Sequence, residues 1–197
     1  MKSAPHAVDT SGAQRGAAGP GVGSAMSAAI ESIPGWRLAA HVVAKPPPSD
    51  WRDALAKRLG ARPRRIGVWA ELALYGAWQC LDAAGESALP PGARLRVASL
   101  SGPQTATRDS MTQLRTGLPM PFDFMQSQSG LMLAALAKGL GWQGDASFMV
   151  CRDASLLMRV ASCGAGPDGL LLGWIEQDGD VLRSEWWRWL PDDRRGT

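Results

Sequence analysis

Cys151 is the residue whose type and setting come nearest to those of a nucleophile. Arg152 and Asp153 follow it, and then an apolar stretch that predicts a helix over 153–163. The thiolate is the reactive form of cysteine, and a neighbouring cation or a helix N-terminus favours it, so Arg152 would lower the thiol pKa. A free cysteine is also commonly buried as a small hydrophobe, so a structural thiol is the other reading. Covalent chemistry at Cys151 would need an acid–base partner and an oxyanion site. The two histidines are His6, in a Gly/Ala-rich stretch, and His41, in a predicted strand. Isolated histidines of this kind are commonly structural.

The other reactive groups form no working set. Cys80, Cys151 and Cys163 have no metal-ligand spacing and leave an odd thiol, which fits a reducing compartment. Nothing in the sequence implies a metal or a cofactor. Glu71, Asp82, Glu86, Asp109 and Asp123 show no pairing that calls for acid–base work. Ser99, Ser101 and Ser127 have no nearby His, and Gly-x-Ser-x-Gly is absent. Gly19, Gly21 and Gly23 follow no strand and lack a nucleotide-loop spacing. Arg62, Arg64 and Arg65 would dock an acidic partner such as a carrier protein, or form a solvated helix start. Trp186–Trp187–Arg188–Trp189 would either stack on a partner or cover a core.

The elements that must position these residues alternate between strand and helix. Residues 1–28 are rich in Ala, Gly, Ser and Pro without periodicity, and read as a disordered tail. Limited proteolysis is expected to leave a core starting near Ser32. A strand over 36–44 ends at three prolines, and a helix capped by Ser49 or Asp50 runs to Leu59 and stops at Gly60. The span 66–84 predicts a helix apolar around much of its circumference, hence buried on more than one side. There follow a strand at 95–100, a helix over 105–115, a loop containing Phe122 and Phe124, and an apolar helix over 127–140. A strand at 146–150, the helix after Cys151 and an unbroken apolar strand at 169–175 lead to the Asp178–Gly179 turn. Residues 181–189 then return antiparallel. The pattern predicts an α/β fold: a mostly parallel sheet with flanking helices and an antiparallel edge hairpin.

Composition narrows the function classes. The formal charge is +3, from 21 Lys and Arg against 18 Asp and Glu, too weak for a nucleic-acid-binding stripe. No stretch reaches 18 consecutive apolar residues, and no apolar segment follows Lys2, so neither a membrane span nor a secretory signal is expected. A cytoplasmic location fits these features.

Several segments, in order, resemble the N-terminal half of β-ketoacyl synthases. Ser99–Leu100–Ser101–Gly102 resembles the small-residue turn after that family's second strand. The stretch from Pro121 through Phe124 and Ser127 to Gly130 resembles its approach to the interface helix. Gly141–Trp142–Gln143–Gly144–Asp145 resembles the turn before the nucleophile strand, and Leu156, Ala161, Asp168 and Gly173 resemble the nucleophile helix and the strand after it. The likeness spans roughly residues 36–176 and is nearest to the divergent, chain-length-factor-like domain of aryl polyene and xanthomonadin pathways.

The resemblance implies a thiolase-like half-fold over 32–190. It also implies a role in fatty-acid or polyketide-type assembly beside a ketosynthase partner subunit and an acyl carrier protein. The family's condensing chemistry uses a Cys at a buried helix N-terminus and two His from the second half, which have no counterparts here. Counting back from Ala161 puts Cys151 at the nucleophile position, whereas counting forward from Gly144 puts that position near Asp153. Three functions follow: an accessory, chain-length-factor-like subunit, a small acyltransferase using Cys151, or a structural interaction module without acyl chemistry. The apolar 127–140 helix is expected at a subunit contact with a synthase or a second copy, unless Trp174 and Trp187 fold over it.

Overall fold

The computed structural model describes residues 34–117, 121–163 and 166–192. The expected tail at 1–28 lies outside them. In chain order the elements are β1 (Trp36–Ala44), α1 (Trp51–Leu59), α2 (Gly67–Ala83), β2 (Arg94–Ser99), α3 (Gln104–Thr116) and α4 (Pro121–Gln126). They continue with α5 (Ser129–Gly139), β3 (Ala146–Val150), α6 (Ala154–Ser162), β4 (Leu170–Asp178) and β5 (Val181–Pro191).

The five strands form one sheet in the order β1-β5-β4-β2-β3. β2 pairs parallel with both β3 and β4, and β5 runs antiparallel to β4 and β1. Four strands therefore point one way and β5 points the other. The β4–β5 hairpin lies toward one side of the sheet, and β1 returns to cover its outer strand. Pairing runs to Asp178–Val181, so the chain reverses through Gly179 and Asp180, with Gly179 at φ 59. A left-handed residue is cheap for glycine and matches the twist of the two strands.

Side chains alternate between two apolar layers. On the first face, Ala40, Leu95, Val97, Leu171, Ile175 and Trp186 pack beneath α1, α2 and α5. On the second, Ala98, Leu172, Trp174, Trp187 and Trp189 pack with Leu157, Met158 and Ala161 of α6. Trp174 and Trp187 thus lie across the sheet from α5 and do not cover it.

α2 is buried nearly all round, as its composition requires. Its Gly76 lies against β5, where an added Cβ would come within 2.1 Å of Ser184 Oγ and 2.5 Å of Trp186. Leu74 meets α5 at Gly139, where an added Cβ would lie 2.5 Å from Leu74 Cδ2. Tyr75 packs on Trp51 of α1. Cys80 is fully buried in this layer, and burial pushes its thiol up to about 12 against a smaller lowering by Arg188.

Residues 121–126 form a short helix where the sequence predicts a loop. Pro121 opens it, at a position where the missing N–H costs nothing and the fixed φ suits the first helical turn. None of the helices among the described residues is long and apolar enough to cross a membrane.

Candidate functional site

In open α/β sheets, ligands favour the crevice beyond the carboxyl ends of the parallel strands. Here that end carries the 99–102 turn after β2, Cys151 after β3, and Glu176 near the end of β4. Glu176 accepts hydrogen bonds from the Ser99 hydroxyl at 3.0 Å, from the Leu100 and Ser101 amides at 2.6 and 3.1 Å, and from the Ser101 hydroxyl. Ser99 Oγ in turn accepts the Gly102 amide at 2.7 Å. The carboxylate ties down the turn, and both serine hydroxyls point their protons at it. Neither serine is set up as a nucleophile.

Cys151 is half-buried. Its thiol donates to the Asp153 carbonyl at 3.1 Å, and its amide donates to the Ser99 carbonyl at 3.3 Å. The N-terminus of α6 belongs to Asp153, whose carboxylate accepts the Leu156 amide at 3.4 Å and whose carbonyl accepts the Leu157 amide at 3.0 Å. Cys151 stands two residues before that cap, and a capping carboxylate occupies the positive end of the helix.

His41 is remote from this thiol. It sits on β1 at the opposite edge of the sheet, with four inter-strand spacings between β1 and β3, or roughly 19 Å at about 4.8 Å each. Its Nε2 lies 2.9 Å from Glu185 Oε1, and its ring stacks on Trp187 at 5.1 Å. Glu185 also accepts from Arg183. Burial pushes the Glu185 carboxyl up, but hydrogen bonds from His41 and Arg183 outweigh it, and its pKa is lowered. The cluster is a hydrogen-bonded ion group across the β1–β5 pair. His6 lies outside the described residues.

Most of the other singled-out residues have structural partners. Arg188 is fully buried and forks onto Glu86 at 2.6 and 2.8 Å while also donating to the Asp168 carbonyl. Trp186, Trp187 and Trp189 are core residues, so the stacking reading of that cluster falls away. Glu71 pairs with Arg52 and Asp82 with Arg58. Asp123 accepts from Gln113 and lines a small polar hollow with Asp109. Ser127 donates to the Phe124 carbonyl at 2.7 Å, closing α4. Cys163 is exposed at the end of α6. Among the described residues no three metal-ligating side chains converge.

Two groups that fix the site escaped the sequence reading. Asp145, just ahead of β3, receives Arg96 through both oxygens at 3.0 and 2.9 Å and Arg94 at 2.6 Å. The Arg96 hydrogen bond leads in lowering its pKa. The alternating Arg-Leu-Arg of β2 was the available signal. Glu176, the first acid after a long apolar strand, was the other.

Among the described residues, β3 is an open edge of the sheet. Every residue of β2 except Arg94 is buried, whereas none of β3 is, and among the described residues β3 pairs with β2 alone. Its sequence, Ala-Ser-Phe-Met-Val, carries no charge or proline. Val150 is 72% exposed, and Leu156 and Val160 on the neighbouring α6 are 50% and 51% exposed. Across the sheet, Phe122 and Phe124 of α4 and Leu131 of α5 are also exposed. Such an edge is a template for pairing with another chain, and natural monomers protect theirs with charge, proline or a covering element.

No protein-family model matches the sequence, and no curated protein matches it. The fold is similar to a chain in the complex of the ketosynthase ApeO with its chain length factor ApeC from Xenorhabdus doucetiae, at a TM-score of 0.53 and 11% identity. The match covers 80% of this chain and 79% of that one, so the two are close in length. The architecture is therefore ketosynthase-like, with the mostly parallel, helix-flanked sheet of the thiolase-like half-fold.

Proposed function

We propose that this chain is an accessory, chain-length-factor-like subunit that pairs with a ketosynthase in aryl polyene-type acyl assembly. Its domain spans 32–190, its location is the cytoplasm, and it meets the acyl carrier protein as part of that assembly. The observation that carries the reading is a ketosynthase-like fold whose β3 edge is apolar, pairs among the described residues with β2 alone, and is flanked by exposed aliphatic side chains. Condensing chemistry would demand more than the carboxyl-end crevice supplies. Its thiol lies before the helix cap, its serines are bound to Glu176, and the described histidine stands at the far edge. Pairing of this edge with a strand of the synthase would satisfy its open amides and carbonyls and remove the apolar margin from water.

Coexpression with a ketosynthase from the same organism, followed by size-exclusion chromatography with light scattering, tests this. A stoichiometric heterocomplex is the expected result. A stable monomer that ignores the synthase at micromolar concentrations would sink the proposal, as would a Cys151-linked acyl adduct that turns over in the isolated chain. A homodimer that excludes the synthase would also replace it.

A further inference from the structure

We propose that the small polar hollow between α3, α4, the start of α2 and the end of β4 binds a hydrated magnesium ion, held by Asp109 and Asp123. The hollow has a volume of about 110 Å³ and gathers polar side chains from separate parts of the chain: Thr105 and Asp109 of α3, Asp123 and Gln126 of α4, and Gln177 of β4. Gln177 is the last residue but one of its strand, so the hollow lies at the carboxyl end of β4, the end at which open α/β sheets favour ligands.

Two independent features point to an occupant. The first is charge. Glu71, Asp82, Glu86, Asp145, Asp178 and Glu185 each pair with an arginine, whereas among the described residues neither Asp109 nor Asp123 has a cationic partner. Of the basic residues before α2, Arg62 faces Asp53 at 3.7 Å and Arg65 lies over the Phe122 ring at 5.3 Å. Asp123 accepts only the neutral amide of Gln113. The second feature is an orphaned amide. Gln177 is 7% exposed, lines the hollow, and its side chain has no hydrogen-bond partner among the described residues. Thr105 Oγ1, buried against the same hollow, has none either. Buried polar groups are seldom left without a partner.

The donor set selects the ion. Water alone would satisfy Gln177 and Thr105 but leave two carboxylates in one hollow without a counter-charge. The first residues of α2, Gly67 to Trp69, also line it, and the positive end of a helix amounts to about half a charge, well short of two carboxylates. No His or Cys is present, so the site does not suit zinc or softer metals. Magnesium keeps several of its waters and is commonly bound through one or two carboxylates, which is what the hollow offers. At about 30 Å³ per water, the space holds roughly three. Those waters would donate to the side-chain oxygens of Gln126, Gln177 and Thr105, and the ion would fasten α4 to α3 and β4.

The test is thermal unfolding of the full chain in MgCl2, compared with NaCl at matched ionic strength and with CaCl2. An ion at about ten times its dissociation constant shifts the folding equilibrium roughly elevenfold, which raises the melting temperature of a chain this size by about 3–5 °C. Wild type should show that rise in MgCl2. Asp109→Asn, at an exposed position that folding tolerates, should remove most of it, and Asp109→Asn with Asp123→Asn should remove all of it. Asp53→Asn, on α1, should keep it. Calorimetric titration with MgCl2 should show one site in wild type and none in the double variant. No rise beyond that in NaCl, or an equal rise in the double variant, overturns the site. A double variant destabilised equally with and without magnesium also overturns it, because the carboxylates then serve only the positive end of α2. A rise in CaCl2 with none in MgCl2 overturns the choice of ion.

Discussion

Placing a charge on each side of the β3 margin, as Leu131→Glu with Val150→Lys, should dissociate the synthase complex without unfolding the domain. Leu131 is 45% exposed and Val150 72% exposed, so the fold already uses only part of each side chain. Fully burying an aliphatic side chain contributes about 1.5–3 kcal/mol, so covering what remains exposed gives about 1 kcal/mol or more at each position. Desolvating the introduced charges adds a further cost. The combined loss of about 2–3 kcal/mol corresponds to a roughly 30- to 150-fold weaker complex, at about 1.4 kcal/mol per factor of ten. The choice of position matters. Leu136, five residues further along α5, is fully buried, and cutting it to Ala would cost about 2–5 kcal/mol of folding stability. Calorimetric titration of each variant against the purified ketosynthase gives the affinity, and urea denaturation checks that stability holds within about 0.5 kcal/mol. An affinity within threefold of wild type would refute the placement of the seam at β3.

Gly76→Ala should destabilise the protein by about 1–3 kcal/mol or more in urea denaturation, because the methyl meets Ser184 and Trp186 inside van der Waals contact and α2 must lift from the sheet. Unchanged stability would mean that α2 and β5 are not in direct contact. Glu185 and Asp145 both have lowered pKa values, so their stabilisation is present above about pH 4.5 and 3.8 and is lost as pH falls through the lower folded values. Glu71, raised by burial, works in the opposite sense. Melting temperature should therefore fall as pH drops below about 4.5, and Glu185→Gln should flatten that fall. The isolated chain should not condense malonyl thioesters, and Cys151→Ala should leave its synthase complex unchanged. Turnover abolished by that substitution would reverse this reading.

Local signals defined the frame well because the chain's elements are strongly marked. β1 and β3 fall on the residues expected of them, and α1 ends at Gly60 with φ 73, as a left-handed C-cap should. What periodicity does not encode is neighbourhood. The hairpin from β4 to β5 was legible in Asp178–Gly179, but the return of β1 to cover β5 depends on long-range pairing of Trp36 with Pro191 and His41 with Trp187. The partners of the buried charges were hidden for the same reason: Arg188 and Glu86 stand 102 residues apart in sequence and 2.6 Å apart in space.

The candidate site shows why residue type alone overstates chemistry. A cysteine followed by a helix looked poised because a helix N-terminus favours a thiolate, yet two residues of displacement hand that position to Asp153, and a carboxylate there satisfies the amides instead. Ser99 and Ser101 are likewise held by a glutamate some 75 residues away in sequence, which turns two reactive hydroxyls into struts. The carboxyl-end crevice thus keeps the geometry of a binding fold while its serines are spent on Glu176. An open feature lies at the margin, in the edge of β3, which among the described residues pairs with β2 alone. An apolar strand edge open to water gains free energy by pairing with another chain, and that is the physical ground for reading this protein as a subunit.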